Sequence, residues 1–221
     1  MTRPRRIVVL RHGETTHNRN GIWQGHLDTD LSDLGREQAQ AAARTLAAYE
    51  PAFVISSDLR RAAATAEAVA AASGAPLTLD PRLREVDVGQ WQGMATAVVR
   101  ERYPQPLHDM EAGLDVARGV TGERLADLAV RVRQALGDVV ARLAASRTAV
   151  VVTHGVSGRT AAAGLAGLDS LTAAAALRGL DNCHWAEVVE SASIYAAASA
   201  VTWRIARWNA GPDLSAAASG G

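Results

Sequence analysis

The run Ile7-Val8-Val9-Leu10-Arg11-His12-Gly13-Glu14-Thr15 decides the fold, because a distant stretch repeats its plan: Ala149-Val150-Val151-Val152-Thr153-His154-Gly155. Each is a short, continuous apolar run that ends in His-Gly. Such runs, bounded by turn residues, read as buried strands of a sheet covered on both faces. In open α/β sheets ligands sit outside the carboxyl ends of the strands. Two histidines delivered to that edge, one beside Arg11, point to a site for an oxyanion, and phosphoryl chemistry is the first candidate.

On either side of these runs, helical and strand patterns alternate. Residues 11–31 read as a loop. Ser32 is placed to cap a helix to about Tyr49. Phe53-Val54-Ile55-Ser56 is the next strand, and Asp58 is placed to cap a helix that runs to Ser73 and ends at Gly74. A short strand is expected at 76–79, loop at 80–95, weak helix at 96–103 and irregular chain at 104–121. A long amphipathic helix is expected over 122–145, with Leu125, Leu128, Val132, Leu136 and Val140 on one face. Small-residue helices come next at 157–166 and 170–180. Strands at 185–189 and 201–208 are expected to pair. The reading is α/β, a three-layer α/β/α sandwich on a mostly parallel central sheet. It is organised as one domain over 1–211 with a disordered tail at 212–221.

Bulk properties narrow the partners. At 221 residues the chain suits one domain with a sizeable core. A formal net charge of +0 gives no electrostatic case for nucleic acid or an anionic membrane. No window approaches the roughly 18 apolar residues of a membrane helix. Cys183 is the single cysteine, which fits a reducing cytoplasm. There is neither a cysteine cluster nor a His-x-x-x-His pair, so no metal site is expected.

The segment Arg11-His12-Gly13-Glu14-Thr15 resembles the signature of the histidine phosphatase superfamily, the phosphoglycerate mutase-like proteins. The likeness continues through Asn18, Gln24-Gly25, Leu31 to Ala39, Ser56-Ser57-Asp58-Leu59-Arg60-Arg61-Ala62 with Thr65-Ala66, and Leu83-Arg84-Glu85 with Gly89 and Gly93, and closes at Thr153-His154-Gly155. A finer resemblance, to the actinobacterial glucosyl-3-phosphoglycerate phosphatases, lies in Gln24 to Ser32, Gly89-Gln90-Trp91-Gln92-Gly93, Asn182-Cys183-His184-Trp185 and Trp203-Arg204-Ile205. Two positions depart from it. Thr121-Gly122-Glu123-Arg124 stands where relatives often read Gly-Gly-Glu-Ser, leaving Arg124 either on a second anionic group or in solvent. Val156 stands where many relatives have another glycine.

The resemblance implies a metal-independent, cofactor-free phosphomonoesterase acting on a small phosphate monoester such as glucosyl-3-phosphoglycerate. It also implies a role for each site residue. His12 is the nucleophile; an unperturbed imidazole, pKa about 6.5, offers a neutral nitrogen near pH 7, and its other nitrogen needs a carbonyl to fix the tautomer. Arg11 and Arg61 bind phosphate oxygens through their rigid donor forks. His154 polarises the phosphoryl group. Glu85 is the proton donor to the leaving oxygen, with Asp87 as its local rival. Asn18, Gln24, Gly25, Ser57 and Gly155 contact the substrate. Trp23, Trp91 and His26 come from loops expected to rim the pocket. The rival enzyme is a phosphoglycerate mutase, whose family members are usually longer between the glutamate and the second His-Gly; here about 68 residues intervene. A non-catalytic phospho-ligand-binding domain is the alternative from another class. A homodimer is compatible with the chain, which does not fix its assembly.

Overall fold

A computed structural model describes residues 3–192 and 201–212. Six strands form one sheet: β1 (Arg6–Arg11), β2 (Phe53–Ser56), β3 (Leu77–Leu79), β4 (Thr148–Thr153), β5 (Trp185–Ala192) and β6 (Val201–Ala210), in the order β3-β2-β4-β1-β5-β6. The first four in that order run parallel; β5 and β6 are antiparallel to their neighbours. Side chains alternate across a strand. Val8, Leu10, Val150 and Val152 therefore pack on one face, against α2 (Asp33–Ala47) and α3 (Arg60–Ser73). Ile7, Val9, Ala149 and Val151 pack on the other, where α6 (Leu125–Arg142) and α7 (Gly155–Leu165) lie. The three-layer expectation holds, and the alanine-rich helices sit close to the sheet because Ala42, Ala43, Ala62, Ala66, Ala161 and Ala162 are fully buried.

The β1–β4 register places the site. Leu10 is opposite Val152 and Arg11 opposite Thr153. The next residues along each chain, His12 and His154, therefore leave the sheet side by side, and His12 N donates to the Thr153 carbonyl at 2.9 Å.

Local chemistry explains the helix ends. Ser32 Oγ accepts from Gly35 N at 3.0 Å, and Gly74 closes α3 with φ +70°. Gly13 and Gly35 interlock: a Cβ on Gly13 would strike the Gly35 carbonyl, and one on Gly35 the Glu14 carbonyl. The loop after β1 can lie flat on the start of α2 only because neither carries a side chain.

Several boundaries differ from expectation. A short helix α1 (Thr16–Arg19) interrupts the first loop, capped by Thr15 with Asn18. Pro104 does not merely stop α4 (Thr96–Arg102); it opens α5 (Pro104–Glu111), since proline fits the first helical turn where no N–H bond is required. Asp58 does not cap α3, whose N-cap is Leu59; its carboxylate instead accepts from Arg84 Nε and Nη2 at 2.7 and 2.6 Å. The long helix begins at Leu125 because the Asp115 carboxylate takes the N–H groups of Leu125 and Ala126. α8 (Ser170–Ala176) is shorter than expected. The expected tail lies outside the described residues from 213 onward. No helix among the described residues is long and apolar enough to cross a membrane.

Candidate active site

The carboxyl ends of β1, β2 and β4 and the loops after them enclose a cleft of about 250 Å³. Arg11, His12, Asn18, Gln24, Gly25, Arg61 and Glu85 all line it. His154, Ser57 and Gly155 are packed against this wall rather than on its surface.

His12 is buried at 3% exposure. Its Nδ1 lies 2.6 Å from the Gly13 carbonyl. A carbonyl can only accept, so Nδ1 carries the proton and Nε2 keeps its lone pair. Burial first, then the charges of Arg61 and Arg11, hold the imidazole pKa well below the usual histidine range. His12 is neutral at pH 7. His154, fully buried, is held neutral by burial and the same arginines. The two rings meet edge to face, centroids 5.1 Å apart.

Arg61 sits in the first turn of α3 at 1% exposure, and burial pulls its pKa down to about 10. Its Nη1 donates to the Leu27 carbonyl at 2.7 Å and Nη2 to the Gly25 carbonyl at 2.9 Å. Gly25 takes φ +52°, a backbone region glycine enters freely, and so turns that carbonyl toward the guanidinium. Arg11 Nη1 donates to the Leu180 carbonyl at 2.6 Å. The Nε groups of both arginines and Nδ1 of His154 are buried with no partner. Buried polar atoms without partners are costly, and these three sit on residues that line the cleft or back its wall. Among the described residues no group of three or more His, Cys, Asp or Glu gathers as a metal site.

Glu85 is fastened at both ends. Its carboxylate accepts from Val86 N, Ser157 N and Val156 N at 2.9, 3.0 and 3.1 Å, the last two being first-turn groups of α7. Its carbonyl accepts from Arg131 Nη2 at 2.7 Å and meets His26 Nε2 at 2.8 Å. Asp87, the local rival, turns away: its Oδ1 accepts from Gly89 N at 2.9 Å and it is absent from the cleft wall.

The remaining expectations divide. Trp23 lines the cleft, but Trp91 is fully buried behind it, rings 5.1 Å apart, and is core rather than rim. His26 supports Glu85 instead of facing the cleft. Gln24 Oε1 accepts from Thr15 and Thr29 hydroxyls, and Asn18 Oδ1 from Thr15 and Asn182. Glu14 ties the loop together through Arg19 and Ser32. Arg124 is exposed, with Nη1 on the Asp115 carbonyl. Sequence reasoning missed His17, which lines the cleft, and Arg131, which binds the carbonyls of Arg82, Arg84 and Glu85. A basic residue mid-helix carries no pattern that announces either contact.

A parallel-sheet edge that pairs a neutral, tautomer-fixed histidine with two buried arginines and a second histidine defines a phosphoryl-handling α/β protein. The chain belongs to the histidine phosphatase superfamily, branch 1, whose model matches residues 7–207. It is 55% identical over 102 residues to glucosyl-3-phosphoglycerate phosphatase of Mycolicibacterium vanbaalenii, covering 46% of this chain and 45% of that one. With the protein of the same name from Mycobacterium tuberculosis it shares 42% identity over 140 residues, 63% of this chain and 62% of that one. These alignments thus span about half to three fifths of the relatives' lengths. A solved structure of the mycobacterial glucosyl-3-phosphoglycerate phosphatase complexed with VO3 superposes with TM-score 0.83 at 34% identity, covering 93% of this chain and 99% of that one.

Proposed function

We propose that the chain is a phosphomonoesterase working through a phosphohistidine intermediate without a divalent cation, on a phosphoglycerate ester such as glucosyl-3-phosphoglycerate, with residues 1–211 acting as one domain. The observation that carries this reading is the 2.6 Å contact of His12 Nδ1 with the Gly13 carbonyl, which leaves Nε2 unprotonated in a cleft lined by Arg11 and Arg61. Nε2 attacks phosphorus in line as the ester P–O bond breaks. Arg11, Arg61 and the Nδ1–H of His154 take the negative charge on the non-bridging oxygens. Glu85 gives a proton to the leaving oxygen, then takes one from the water that cleaves the P–N bond, so that free phosphate and the starting enzyme are regenerated. The names of the mycobacterial relatives support the substrate class. The proposed setting is the cytoplasm, and a homodimer is the assembly to check by light scattering.

The test is phosphate release from a panel of glycerate, sugar and nucleotide monoesters in chelator, with acid-quenched mass measurement of the protein. The expected result is turnover and a labile phosphoryl adduct, both lost in His12→Ala. Transfer of the phosphoryl group to a second hydroxyl would replace this reading by the mutase one. Ligand binding without turnover would make the chain a phospho-ligand-binding domain.

A further inference from the structure

All 23 cationic side chains of this protein are arginine. Most of them form ion pairs with a carboxylate or are exposed. Four do neither among the described residues: Arg11, Arg61, Arg118 and Arg159. The first two belong to the phosphate cleft. The other two are bonded only through backbone carbonyls: Arg118, at 6% exposure, by Nη1 to Val116 at 2.7 Å, and Arg159 by Nη1 to Leu177 at 3.3 Å. An arginine withdrawn from water without an acid is costly to keep, and two together repel. For Arg11 and Arg61 the reason is the phosphate. We infer that Arg118 and Arg159 form a second anion subsite, which takes a carboxylate on the alcohol part of the substrate; this rests on the phosphatase reading above.

The placement comes from the fold. Arg159 lies one helical turn after Gly155 on the same face of α7, and helical side chains lean toward the preceding turn. That turn is open, because Gly155 has no side chain; a Cβ there would be 3.6 Å from Glu85 Oε2 and 3.7 Å from Arg11 Cζ. Arg159 and Arg11 also rest on the same stretch of chain, through the carbonyls of Leu177 and Leu180. Arg118 sits in a loop clamped to the Glu85 loop: Glu123 N donates to the Asp87 carbonyl and Asp87 N to Glu123 Oε2, each at 2.9 Å. The charges agree. The acid that acts on Arg159 is Glu85, and Arg118 in turn feels Asp115 and Arg159. Asp115 is itself occupied by the N-terminus of α6. Arg159 and Arg118 thus stand on two elements, α7 and the 118–123 loop, that are both hydrogen-bonded to the Glu85 loop. Since Glu85 marks the leaving oxygen, the alcohol part extends toward the two arginines, and a glycerate ester carries its carboxylate a short carbon chain from that oxygen. Arg124, exposed nearby, takes no part.

The experiment compares 3-phosphoglycerate with glycerol 3-phosphate, which lacks the carboxylate, for the parent, Arg159→Ala, Arg159→Lys and Arg118→Lys. The parent is expected to prefer 3-phosphoglycerate in kcat/KM. Arg159→Ala should cut that preference by about tenfold or more, the scale of one charge-assisted bond, through KM; Arg159→Lys should keep part of it. A parent without preference, or an equal loss on both esters, overturns the subsite while leaving the phosphatase reading intact. If the parent turns over no ester, calorimetric titration with the same two compounds decides: selective weakening of 3-phosphoglycerate binding in Arg159→Ala upholds the subsite, and equal binding of both by the parent overturns it. A bisphosphate run alongside separates a carboxylate site from one that prefers a second phosphate.

Discussion

Ser57 Oγ lies 2.8 Å from His154 Nε2 inside the protein, and it also receives the Leu59 N–H at 3.3 Å. No other acceptor among the described residues is within reach of the serine proton, so Ser57 donates to Nε2 and leaves the proton of His154 on Nδ1. That is the buried nitrogen without a partner. A buried hydroxyl behind the cleft wall thus determines which nitrogen of His154 keeps the proton. Ser57→Ala frees the other tautomer. We expect kcat to fall about tenfold with KM little changed, and Ser57→Thr to restore most of it. Nitrogen shifts of the His154 ring should show the tautomer change in the alanine variant. An unchanged kcat would sink this assignment.

Arg61→Ala removes a buried cation held by Leu27 and Gly25 carbonyls. Such charge-assisted contacts contribute about 2–4 kcal/mol when aimed at transition-state charge. Saturation kinetics should show kcat down by about 30-fold or more. A change confined to KM would mean that Arg61 binds substrate and transition state equally.

Glu85→Gln keeps the shape but cannot deliver a proton. Alkyl phosphates need that proton and nitrophenyl phosphate hardly does. The burst rate of phosphoenzyme formation should collapse for a phosphoglycerate ester and survive for the aryl one. Equal loss on both would make Glu85 a structural clamp on α7, a role its bonds to Val156 and Ser157 already fit.

Stability should decline in mild acid. His12 and His154 have folded-state pKa values below the unfolded 6.5, chiefly through burial. Below about pH 6.5 the unfolded chain takes up protons that the folded chain refuses, so stability falls as pH falls, until the folded values are reached. Urea midpoints at pH 7.5, 6.5 and 5.5 should drop in that order, with a shallower slope in His12→Asn. A midpoint rising toward pH 5.5 would contradict the neutral, buried assignment. The same depression keeps His12 nucleophilic below pH 6.5, so the acid limb of phosphoenzyme formation should lie under that value.

The two apolar runs ending in His-Gly were enough to set the sheet and the paired histidines. A strand's own pattern fixes where the residue just beyond its carboxyl end emerges, and because both runs end in the same His-Gly, pairing them in parallel brings the two histidines together. Ser32 and Gly74 were legible for the same reason, since a cap acts within a few residues. Asp58 was not: its cap chemistry was available, but Arg84, distant in sequence, offered two charge-assisted bonds and won. The chain from 104, expected to be irregular, opens as a helix, because Pro104 both ends one helix and begins the next.

The α/β order, the place of His12, Arg11 and His154 at one edge, and the family that these residues share could all be read along the chain. Only the folded chain shows that Nδ1 of His12 is the protonated nitrogen, that Ser57 meets His154, that Trp91 is core, and that Arg118 and Arg159 form no ion pair among the described residues while Arg84 and Arg131 do. Secondary structure and capping depend on neighbours along the chain. Tautomers, ion pairs and unpaired buried charges depend on which groups meet in space after the loops close, and composition assigns no partner to an arginine.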